Sequence, residues 1–235
     1  MELKDKVVVI TGGGRGLGRS LALALAREGA RLVLAARTES ELLAVQEEVQ
    51  ALGAEAYVVP TDVADVEQVQ QLATKVLDKF GTVDVIINNA GTGTVLEPVQ
   101  NTTLEYWEEM INTNARGPFF LTKALLPTML DKGAGHVVNI SSTVAKKGVS
   151  TASAYCASKA ALGAFGESLA AEVRSQGIRV TNVFCEPMDT WLRWAATPDF
   201  ARDRVMHPDV VAEAVVDVLK LGSNAWVDEL PVRVL

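Results

Sequence analysis

The sequence contains few of the residues on which several protein classes depend. Its two cysteines, Cys156 and Cys185, and its two histidines offer neither a disulfide framework nor the spacing of a metal site. No apolar run approaches the roughly 18 residues that a membrane span needs. The first predicted strand also starts too close to Met1 to leave room for a signal peptide. We therefore expect a cytoplasmic protein with reduced thiols, without a metal and without a membrane partner.

Positive charge is scarce as well, because 29 acidic residues outnumber 22 lysines and arginines and give a net charge of -7. This balance argues against a general affinity for nucleic acid or for anionic membranes. Any phosphate group would have to be bound by backbone N–H groups or by a few well-placed arginines. The 235 residues are enough for one well-buried domain over 1–235, and no repeat or linker divides them.

Short apolar strands alternate with amphipathic helices along the whole chain. This alternation predicts an α/β fold: a single-domain, Rossmann-like, doubly wound parallel sheet of about seven strands with helices on both faces. Ligands of such sheets bind beyond the carboxyl ends of the strands. The predicted strands are 6–11, 31–36, 55–60, 83–87, 136–140, 178–184 and 226–234. Helices are predicted at 39–52, 65–80, 104–114, 119–130, 152–175 and 208–221, with an interruption at Gly117-Pro118.

A glycine-rich turn joins the first strand to a helix. Its glycines fall as Gly12-x-x-x-Gly16-x-Gly18 and so depart from the strict G-x-G-x-x-G spacing. Between a strand and a helix, glycines let a pyrophosphate approach the backbone, and the N–H groups of the helix start point at the anion. The alternative is a flexible loop with a glycine-rich helix start. The context favours a dinucleotide site.

The end of the second strand indicates which dinucleotide is bound. An NAD site usually places Asp or Glu there, whereas this chain has Ala35, Ala36 and Arg37, and its first carboxylate is Glu39. The planar fork of Arg37 suits a 2′-phosphate, and Arg15 in the glycine turn could supply a second cation. Each arginine could also be an ordinary solvated side chain. Together they favour NADP.

Tyr155 and Lys159 lie four residues apart in a predicted helix and therefore on one face of it. A fixed cation nearby favours the phenolate, so we expect Lys159 to lower the pKa of Tyr155 from about 10 towards neutrality. Acid–base chemistry is most effective there. Taken alone, such a pair could equally be two neighbours on a helix surface.

Together these motifs resemble those of the short-chain dehydrogenases/reductases. Four features coincide in that family's order and spacing. They are Thr11-Gly-x-x-x-Gly16-x-Gly18, Asn88-Asn89-Ala90-Gly91, Ser142 thirteen residues before Tyr155, and Tyr155-x-x-x-Lys159. Asn114 falls at the family's fourth catalytic position. The resemblance covers essentially the whole chain and implies an NADP(H)-dependent oxidoreductase that moves a hydride between nicotinamide and a carbonyl or secondary alcohol.

The resemblance also implies a role for each site residue. Tyr155 would be the general acid in ketone reduction, and Lys159 would lower its pKa and bind the nicotinamide ribose. Ser142 would donate to the substrate oxygen, and Asn114 would hold Lys159 through a water. The implied cofactor-binding residues are Gly12, Gly14, Arg15, Gly16, Leu17, Gly18, Arg37, Asp62, Val63, Asn89, Ala90, Gly91, Tyr155, Lys159, Pro187 and Thr190. For Asp62 the alternatives are a bond to the adenine amino group and a turn or cap role.

The chain departs from the family's pattern after the sixth strand, where Cys185-Glu186-Pro187 stands in place of a Pro-Gly turn. Pro187 and Thr190 remain candidates to support the nicotinamide. We expect Glu186 to point towards solvent and Cys185 to be a packing residue. The family's glycine-rich C-terminal ending is also absent. A homodimer or homotetramer through the long helices is the expected assembly.

Residues 188–207 are predicted to form a substrate lid. The aromatic side chains of this segment suggest an apolar carbonyl compound as substrate. Its arginines could meet an anionic carrier such as an acyl thioester of acyl carrier protein or coenzyme A, or could be solvated helix charges. The aromatic residues are Trp191, Trp194 and Phe200, and the arginines are Arg193, Arg202 and Arg204.

We therefore expect reduction of a ketone or a 3-oxoacyl thioester by a protein whose partner is a small-molecule carbonyl substrate, carrier-linked in the thioester case. Two alternatives stay open at this point. The enzyme could work in the oxidative direction on an alcohol or sugar, because sequence does not decide the direction of the equilibrium. The chain could also be a protein that senses NADP(H) without turnover.

Overall fold

In the computed structural model, which describes residues 1–93, 95–222 and 224–235, seven strands form one parallel sheet in the order β3-β2-β1-β4-β5-β6-β7. The predicted doubly wound α/β fold is confirmed. The strands are β1 (Val7–Thr11), β2 (Arg31–Ala36), β3 (Ala56–Pro60), β4 (Val85–Asn88), β5 (Gly135–Ser142), β6 (Ile178–Cys185) and β7 (Glu229–Val232). The last strand is shorter than the sequence pattern suggested.

Helices cover both faces of the sheet. They are α1 (Gly16–Arg27), α2 (Glu39–Ala51), α3 (Val66–Phe80), α4 (Leu104–Ile111), α5 (Gly117–Lys132), α6 (Ser153–Val173), α7 (Trp191–Ala196) and α8 (Pro208–Lys220). Apolar residues of α1, α2 and α8 pack in one core, and those of α3, α5 and α6 pack in the other. Within the described residues, no helix is both long and apolar enough to cross a membrane.

Strand β1, near the centre of the sheet, shows why the strand sequences are continuous apolar runs. Val8 and Ile10 belong to one core, whereas Val7 and Val9 belong to the other, because successive side chains of a strand point to opposite faces. A strand buried on both faces needs apolar side chains at every position. All five residues of β1 are buried, including Thr11 at its carboxyl end.

The predicted interruption at Gly117-Pro118 is wrong. The helix continues from α4 through a π-helical turn, Asn112–Arg116, directly into α5. Pro118 lacks a backbone N–H, and it is tolerated because it sits in the first turn of α5, next to the π-helical turn. The wider turn carries Asn114, which is fully buried.

The strand order reverses beside β1, since β2 and β3 lie on one side of it and β4 to β7 on the other. Open α/β sheets bind ligands at such a switch point, in the crevice outside the carboxyl ends of the strands. The glycine turn after β1 and the Asn88-Asn89-Ala90-Gly91 stretch at the end of β4 both lie at this point.

Candidate active site

A crevice of about 400 Å³ lies at the carboxyl edge of the sheet. All sixteen predicted cofactor-binding residues line it, and so does Ser142. Of the predicted catalytic residues, Asn114 alone is not among the lining residues. The sequence therefore identified the residues that converge on one place, although they come from widely separated parts of the chain.

Close backbone approach explains the glycines of the turn. Gly12 has a positive φ of 66°, and a Cβ there would come within 2.9 Å of Asn89 Nδ2. A Cβ on Gly18 would overlap the carbonyl of Gly12. The first turn of α1 can thus pass directly under the glycine turn only because both residues lack side chains.

Thr11 and Asn89 hold the two chain segments of this crevice together. The Thr11 hydroxyl accepts hydrogen bonds from the backbone N–H groups of Asn89 (3.1 Å) and Ala90 (3.0 Å). In return, Asn89 Nδ2 donates to the carbonyl of Thr11 at 2.8 Å and to that of Gly12 at 3.2 Å. These bonds are partly buried and fix the glycine turn against the end of β4.

Two arginines lie where the second strand ends. Arg37 is exposed at the rim of the crevice. Arg15 pairs with Glu41 at 3.1 Å and lies over the ring of Trp191, 4.2 Å from its centroid. Asp62 also lines the crevice, and its Oδ1 accepts from the N–H of Ala64 at 2.9 Å, which is the turn role that the sequence left open.

The Tyr155 phenol lies in the crevice beside Gly93, where an added Cβ would come within 2.6 Å of the ring. Burial raises the pKa of Tyr155 above its ordinary value, although hydrogen bonding with Ser142 and the charge of Arg193 work against this shift. The expectation that Lys159 lowers the pKa of the phenol is therefore wrong for this structure. Burial of the phenolate form outweighs the hydrogen bond with Ser142 and the charge of Arg193.

Lys159 is almost fully buried, and its ammonium donates to the carbonyl of Ile140 at 2.9 Å. Burial lowers the pKa of Lys159 from 10.5 to about 8, because desolvation disfavours the charged form. Near neutral pH the group still carries its proton. The cation is thus held by β5 on the floor of the crevice.

Asn114 lies behind the crevice wall and fixes two of its segments by hydrogen bonds. Its Oδ1 accepts from the N–H of Thr92 at 2.9 Å, and its Nδ2 donates to the carbonyl of Thr92 and to Ser158 Oγ, each at 2.9 Å. The Ser158 hydroxyl in turn donates to the carbonyl of Tyr155 at 2.8 Å. Asn114 thereby connects the π-helical turn to α6, the helix that carries the phenol.

Sequence comparison identifies the family. The family model for short chain dehydrogenases matches residues 6–200, which is most of the chain. The chain belongs to the short-chain dehydrogenase family. A relative 35% identical over 99% of both chains is an uncharacterized oxidoreductase of Staphylococcus saprophyticus. The expected enzyme class is confirmed: this short-chain dehydrogenase is an oxidoreductase acting on a CH–OH group or its carbonyl counterpart.

Two solved structures are similar over nearly their whole length. One is a metagenomic short-chain oxidoreductase in complex with NADP, with 32% identity, a TM-score of 0.89 and coverage of 100% of this chain and 99% of that one. The other is an alcohol dehydrogenase from the archaeon Thermococcus sibiricus complexed with 5-hydroxy-NADP, with 32% identity and a TM-score of 0.92. It covers 99% of this chain and 97% of that one.

The segment where this short-chain dehydrogenase departs from the family pattern has a definite structure. The prediction that Glu186 points away to solvent is wrong. Glu186 lines the crevice, its backbone N–H donates to the carbonyl of Val232, and its Oε2 accepts from the N–H of Val234 at 3.0 Å. The carboxylate thus holds the C-terminal residues against the crevice wall. Cys185 is buried and its thiol donates to the carbonyl of Ser141 at 3.3 Å, as expected of a packing residue.

The predicted lid, residues 188–207, is closed at its base by a parallel bridge between Met188 and Met206. Its helix α7 has no buried residue. Arginines in this segment stack on aromatic rings, with Arg193 4.7 Å from the Phe200 centroid and Arg202 4.5 Å from that of Trp194. That this segment opens and closes over a substrate stays a prediction.

Several residues in or beside the crevice make contacts that the sequence did not predict. Thr11 belonged to the recognised motif, and its position between a strand and the first glycine could have indicated that its hydroxyl faces the next strand. Glu41 gave no signal of its own, since it looks like an ordinary charged position on an amphipathic helix, and Arg193 could not be told apart from the other lid arginines by sequence. Their contacts depend on tertiary structure.

Proposed function

We propose that this protein is an NADP(H)-dependent oxidoreductase that reduces a ketone or 3-oxoacyl thioester, with Tyr155 as the proton donor. The observation that carries the proposal is the convergence, in one crevice, of the glycine turn with the Tyr155 phenol, the Ser142 hydroxyl and the Lys159 ammonium. The glycine turn suits a pyrophosphate, and the three polar groups suit a carbonyl oxygen that gains negative charge.

The bound nicotinamide would supply the hydride. Ser142, near the phenol, would donate a hydrogen bond to the substrate carbonyl and stabilise the developing alkoxide. Tyr155 would then transfer its proton to that oxygen. Because burial raises its pKa, the phenol carries the proton that this step requires. In the reverse direction the phenolate would accept the proton.

Lys159 would hold the ribose beside the nicotinamide and supply positive charge below the phenol. Among the described residues its ammonium has one hydrogen-bond partner, the Ile140 carbonyl, so further N–H bonds are available for ligand groups. Asn114 would position this group through a water that continues to solvent. We assign the remaining crevice-lining glycines, with Asn89, Ala90, Pro187 and Thr190, to the nicotinamide and pyrophosphate portions.

The preference for NADP rests on Arg37 and on the absence of a carboxylate at the end of β2, since Ala35 and Ala36 end that strand. Arg37 is exposed at the rim, where its planar fork can reach a 2′-phosphate. Solved relatives that carry NADP or 5-hydroxy-NADP support the same choice. Asp62 and Val63 would face the adenine.

Absorbance of the reduced nicotinamide, followed with a panel of ketones and 3-oxoacyl thioesters, tests the proposal. We expect NADPH-dependent consumption for at least one class, and a kcat/KM with NADPH well above that with NADH. Tight NADPH binding with no turnover of any carbonyl or alcohol would instead indicate a sensor. Oxidation of alcohols without any carbonyl reduction at neutral pH would indicate the oxidative direction.

We also propose that two or four copies associate through the long helices. Phe119 on α5 is 46% exposed yet stacks within 5.4 Å of both Phe120 and Phe165, and Trp107 on α4 is 43% exposed. Apolar rings on neighbouring helices form a surface that a second copy can cover. Light scattering should give a dimer or tetramer, and Phe119→Glu should lower the mass to that of a monomer.

A further inference from the structure

The charged side chains that line the crevice are nearly all accounted for by partners within the protein. Glu41 pairs with Arg15, and Asp62 accepts from a backbone N–H in its own turn. Glu109 accepts from the Thr92 hydroxyl at 3.1 Å. Glu186, as described above, holds the C-terminal residues, and Lys159 is bound to β5. The two lining cations that remain are Arg37 and Arg193.

Arg37 and Arg193 lie at different ends of the crevice. Arg37 follows β2, at the end assigned to the 2′-phosphate. Arg193 lies on α7 and lines the crevice together with Tyr155 and Ser142. Its charge also works to lower the pKa of the phenol. In the proposed function the reacting carbonyl lies beside Tyr155 and Ser142, and not beside Arg37.

Arg193 is held in place without being neutralised. Its Nη1 donates to Thr197 Oγ1 at 2.9 Å, and its guanidinium lies over the Phe200 ring. No ion pair among the described residues involves Arg193, although the side chain is half-buried. Burial lowers the pKa of Arg193, because the charged guanidinium loses part of its hydration there. An anionic ligand would supply the missing counter-charge.

The other lid arginines differ from Arg193. Arg202 stacks on Trp194, and neither Arg202 nor Arg204 lines the crevice. Solvated helix charge, the alternative left open by the sequence, describes these two residues. It does not describe Arg193, whose half-buried guanidinium lines the crevice between the Thr197 hydroxyl and the Phe200 ring.

We propose that the substrate is an acidic carbonyl compound, whose carboxylate or other anionic group pairs with Arg193 while its carbonyl faces Tyr155 and Ser142. The inference rests on the proposed function, because it places the carbonyl at the phenol. It narrows the substrate class from ketones in general to ketones that carry a negative charge within reach of the lid helix. The guanidinium fork binds a carboxylate with two parallel N–H bonds.

Matched pairs of acids and neutral esters provide the test. The probes are acetoacetate with methyl acetoacetate, benzoylformate with methyl benzoylformate, and 4-acetylbenzoate with methyl 4-acetylbenzoate, each with NADPH. For at least one pair we expect kcat/KM for the acid to exceed that for the ester by roughly tenfold or more, as for a hydrogen bond between charged groups. Arg193→Gln should remove most of this preference, because any effect of the lost charge on the Tyr155 phenol is common to acid and ester and cancels in the ratio of their kcat/KM values. Arg193→Lys should restore part of it.

Arg202→Gln is the matched control, since it removes a lid arginine that stacks on an aromatic ring outside the crevice. It should leave the acid-to-ester ratio unchanged. Equal turnover of acids and esters by the wild type would overturn the proposal. So would a loss of NADPH affinity in Arg193→Gln as large as the loss of acid turnover, because Arg193 would then belong to the cofactor site.

Binding separates failure of this proposal from failure of the proposed function. If no probe is reduced, the change in Tm of the NADPH-loaded enzyme on adding each acid or ester tests whether Arg193 binds the anionic group. Acid-selective stabilisation that is lost in Arg193→Gln supports the proposal, even though the reductase assignment would then need revision. Equal stabilisation by both members of each pair overturns it. Absence of NADPH binding overturns both.

Discussion

The two sides of the crevice are built differently. On one side, the glycine turn and the residues after β4 are fixed by the hydrogen bonds of Thr11 and Asn89 and by backbone contacts that allow no Cβ at Gly12 or Gly18. On the other side, the lid has a helix with no buried residue and is held by one bridge and by arginine–aromatic stacking. The glycine side carries motifs that the chain shares with the family, and the lid carries the arginine–aromatic contacts.

This difference indicates where each property can change. Substitutions on the glycine side should affect folding and cofactor binding together, because the same contacts serve both. Substitutions in the lid should affect substrate choice and leave the fold unchanged, because little of the lid is packed. The following predictions test that separation, starting with the largest effect.

Gly18→Ala should have the largest effect. Its Cβ would overlap the carbonyl of Gly12, so either the turn or the first turn of α1 must move. Overpacking of this kind costs about 1–3 kcal/mol, or roughly 2–12 °C in Tm for a chain of this size. We also expect NADPH affinity, measured by fluorescence, to fall by about 100-fold or more. Gly148→Ala is the control, since nothing lies within 4 Å of the added Cβ. Normal NADPH binding by Gly18→Ala would contradict the close-approach account.

The loss of folding stability at acid pH should come from a residue of the sheet, His136, and not from the lid. His136 in β5 is fully buried, and its Nε2 faces Thr181 Oγ1 at 2.8 Å. The Thr181 hydroxyl donates to the carbonyl of Val227, so Nε2 must be the donor to Thr181. Nδ1 has no hydrogen-bond partner among the residues that the structure describes. Burial lowers the pKa of His136 from 6.5 to about 3.

The sign of the effect follows from that depressed pKa. Above pH 6.5 the ring is neutral in both folded and unfolded states, and His136 adds no pH dependence. Between pH 6.5 and 3 the unfolded state binds a proton at this ring and the folded state does not. The free energy of unfolding therefore falls by about 1.4 kcal/mol for each unit by which the pH is lowered. Urea unfolding of His136→Gln should show a shallower loss in this window. The exposed His207→Gln should keep the wild-type slope, and an unchanged slope in His136→Gln would contradict the prediction.

Arg37→Gln should change cofactor choice without changing the fold. Loss of a charge-assisted bond to a 2′-phosphate should lower kcat/KM with NADPH by roughly tenfold or more and leave that with NADH nearly unchanged. Arg27→Gln, which removes an exposed arginine at the far end of α1, is the control. If the wild-type kcat/KM with NADPH is no higher than that with NADH, the NADP assignment itself is contradicted.

Trp191→Leu should have the smallest effect. The ring lies 4.2 Å from the Arg15 guanidinium and is 55% exposed, and Arg15 keeps its pair with Glu41. A cation–π contact at an exposed site contributes about 0.5–1 kcal/mol, which corresponds to about a two- to fivefold change in the KM for NADPH. Tm should fall by no more than about 4 °C. A loss of about 10 °C would show that the lid is part of the folded core.

Much of the glycine side could be predicted because each of its features has a local signal. Glycines between a strand and a helix, Arg37 after a strand and the Tyr155–Lys159 spacing are visible in short windows of sequence. The continuous helix through Asn114 was missed because Pro118 usually marks a boundary, and the π-helical turn that accommodates it leaves no sequence pattern. Glu186 was misassigned because its partner, Val234, is 48 residues away.

The direction of the Tyr155 pKa shift could not be predicted for a related reason. The four-residue spacing shows that Lys159 shares a helix face with the phenol, but it carries no information on burial. In the structure the Lys159 ammonium donates to the Ile140 carbonyl, and burial is the largest influence on the pKa of the Tyr155 phenol. The lid arginines illustrate the same limit, because Arg193 and Arg202 look alike in sequence and differ only in what surrounds them.

The role of Tyr155 can be measured most directly by single-turnover hydride transfer in NADPH-loaded enzyme. Tyr155→Phe removes the proton donor and keeps the ring that packs against Gly93. The account predicts that hydride transfer to the best ketone slows by roughly 10²–10⁴-fold, while the Kd for NADPH stays within about threefold of the wild type. Hydride transfer in Tyr155→Phe at a rate close to that of the wild type would contradict the assignment of this phenol as the proton donor.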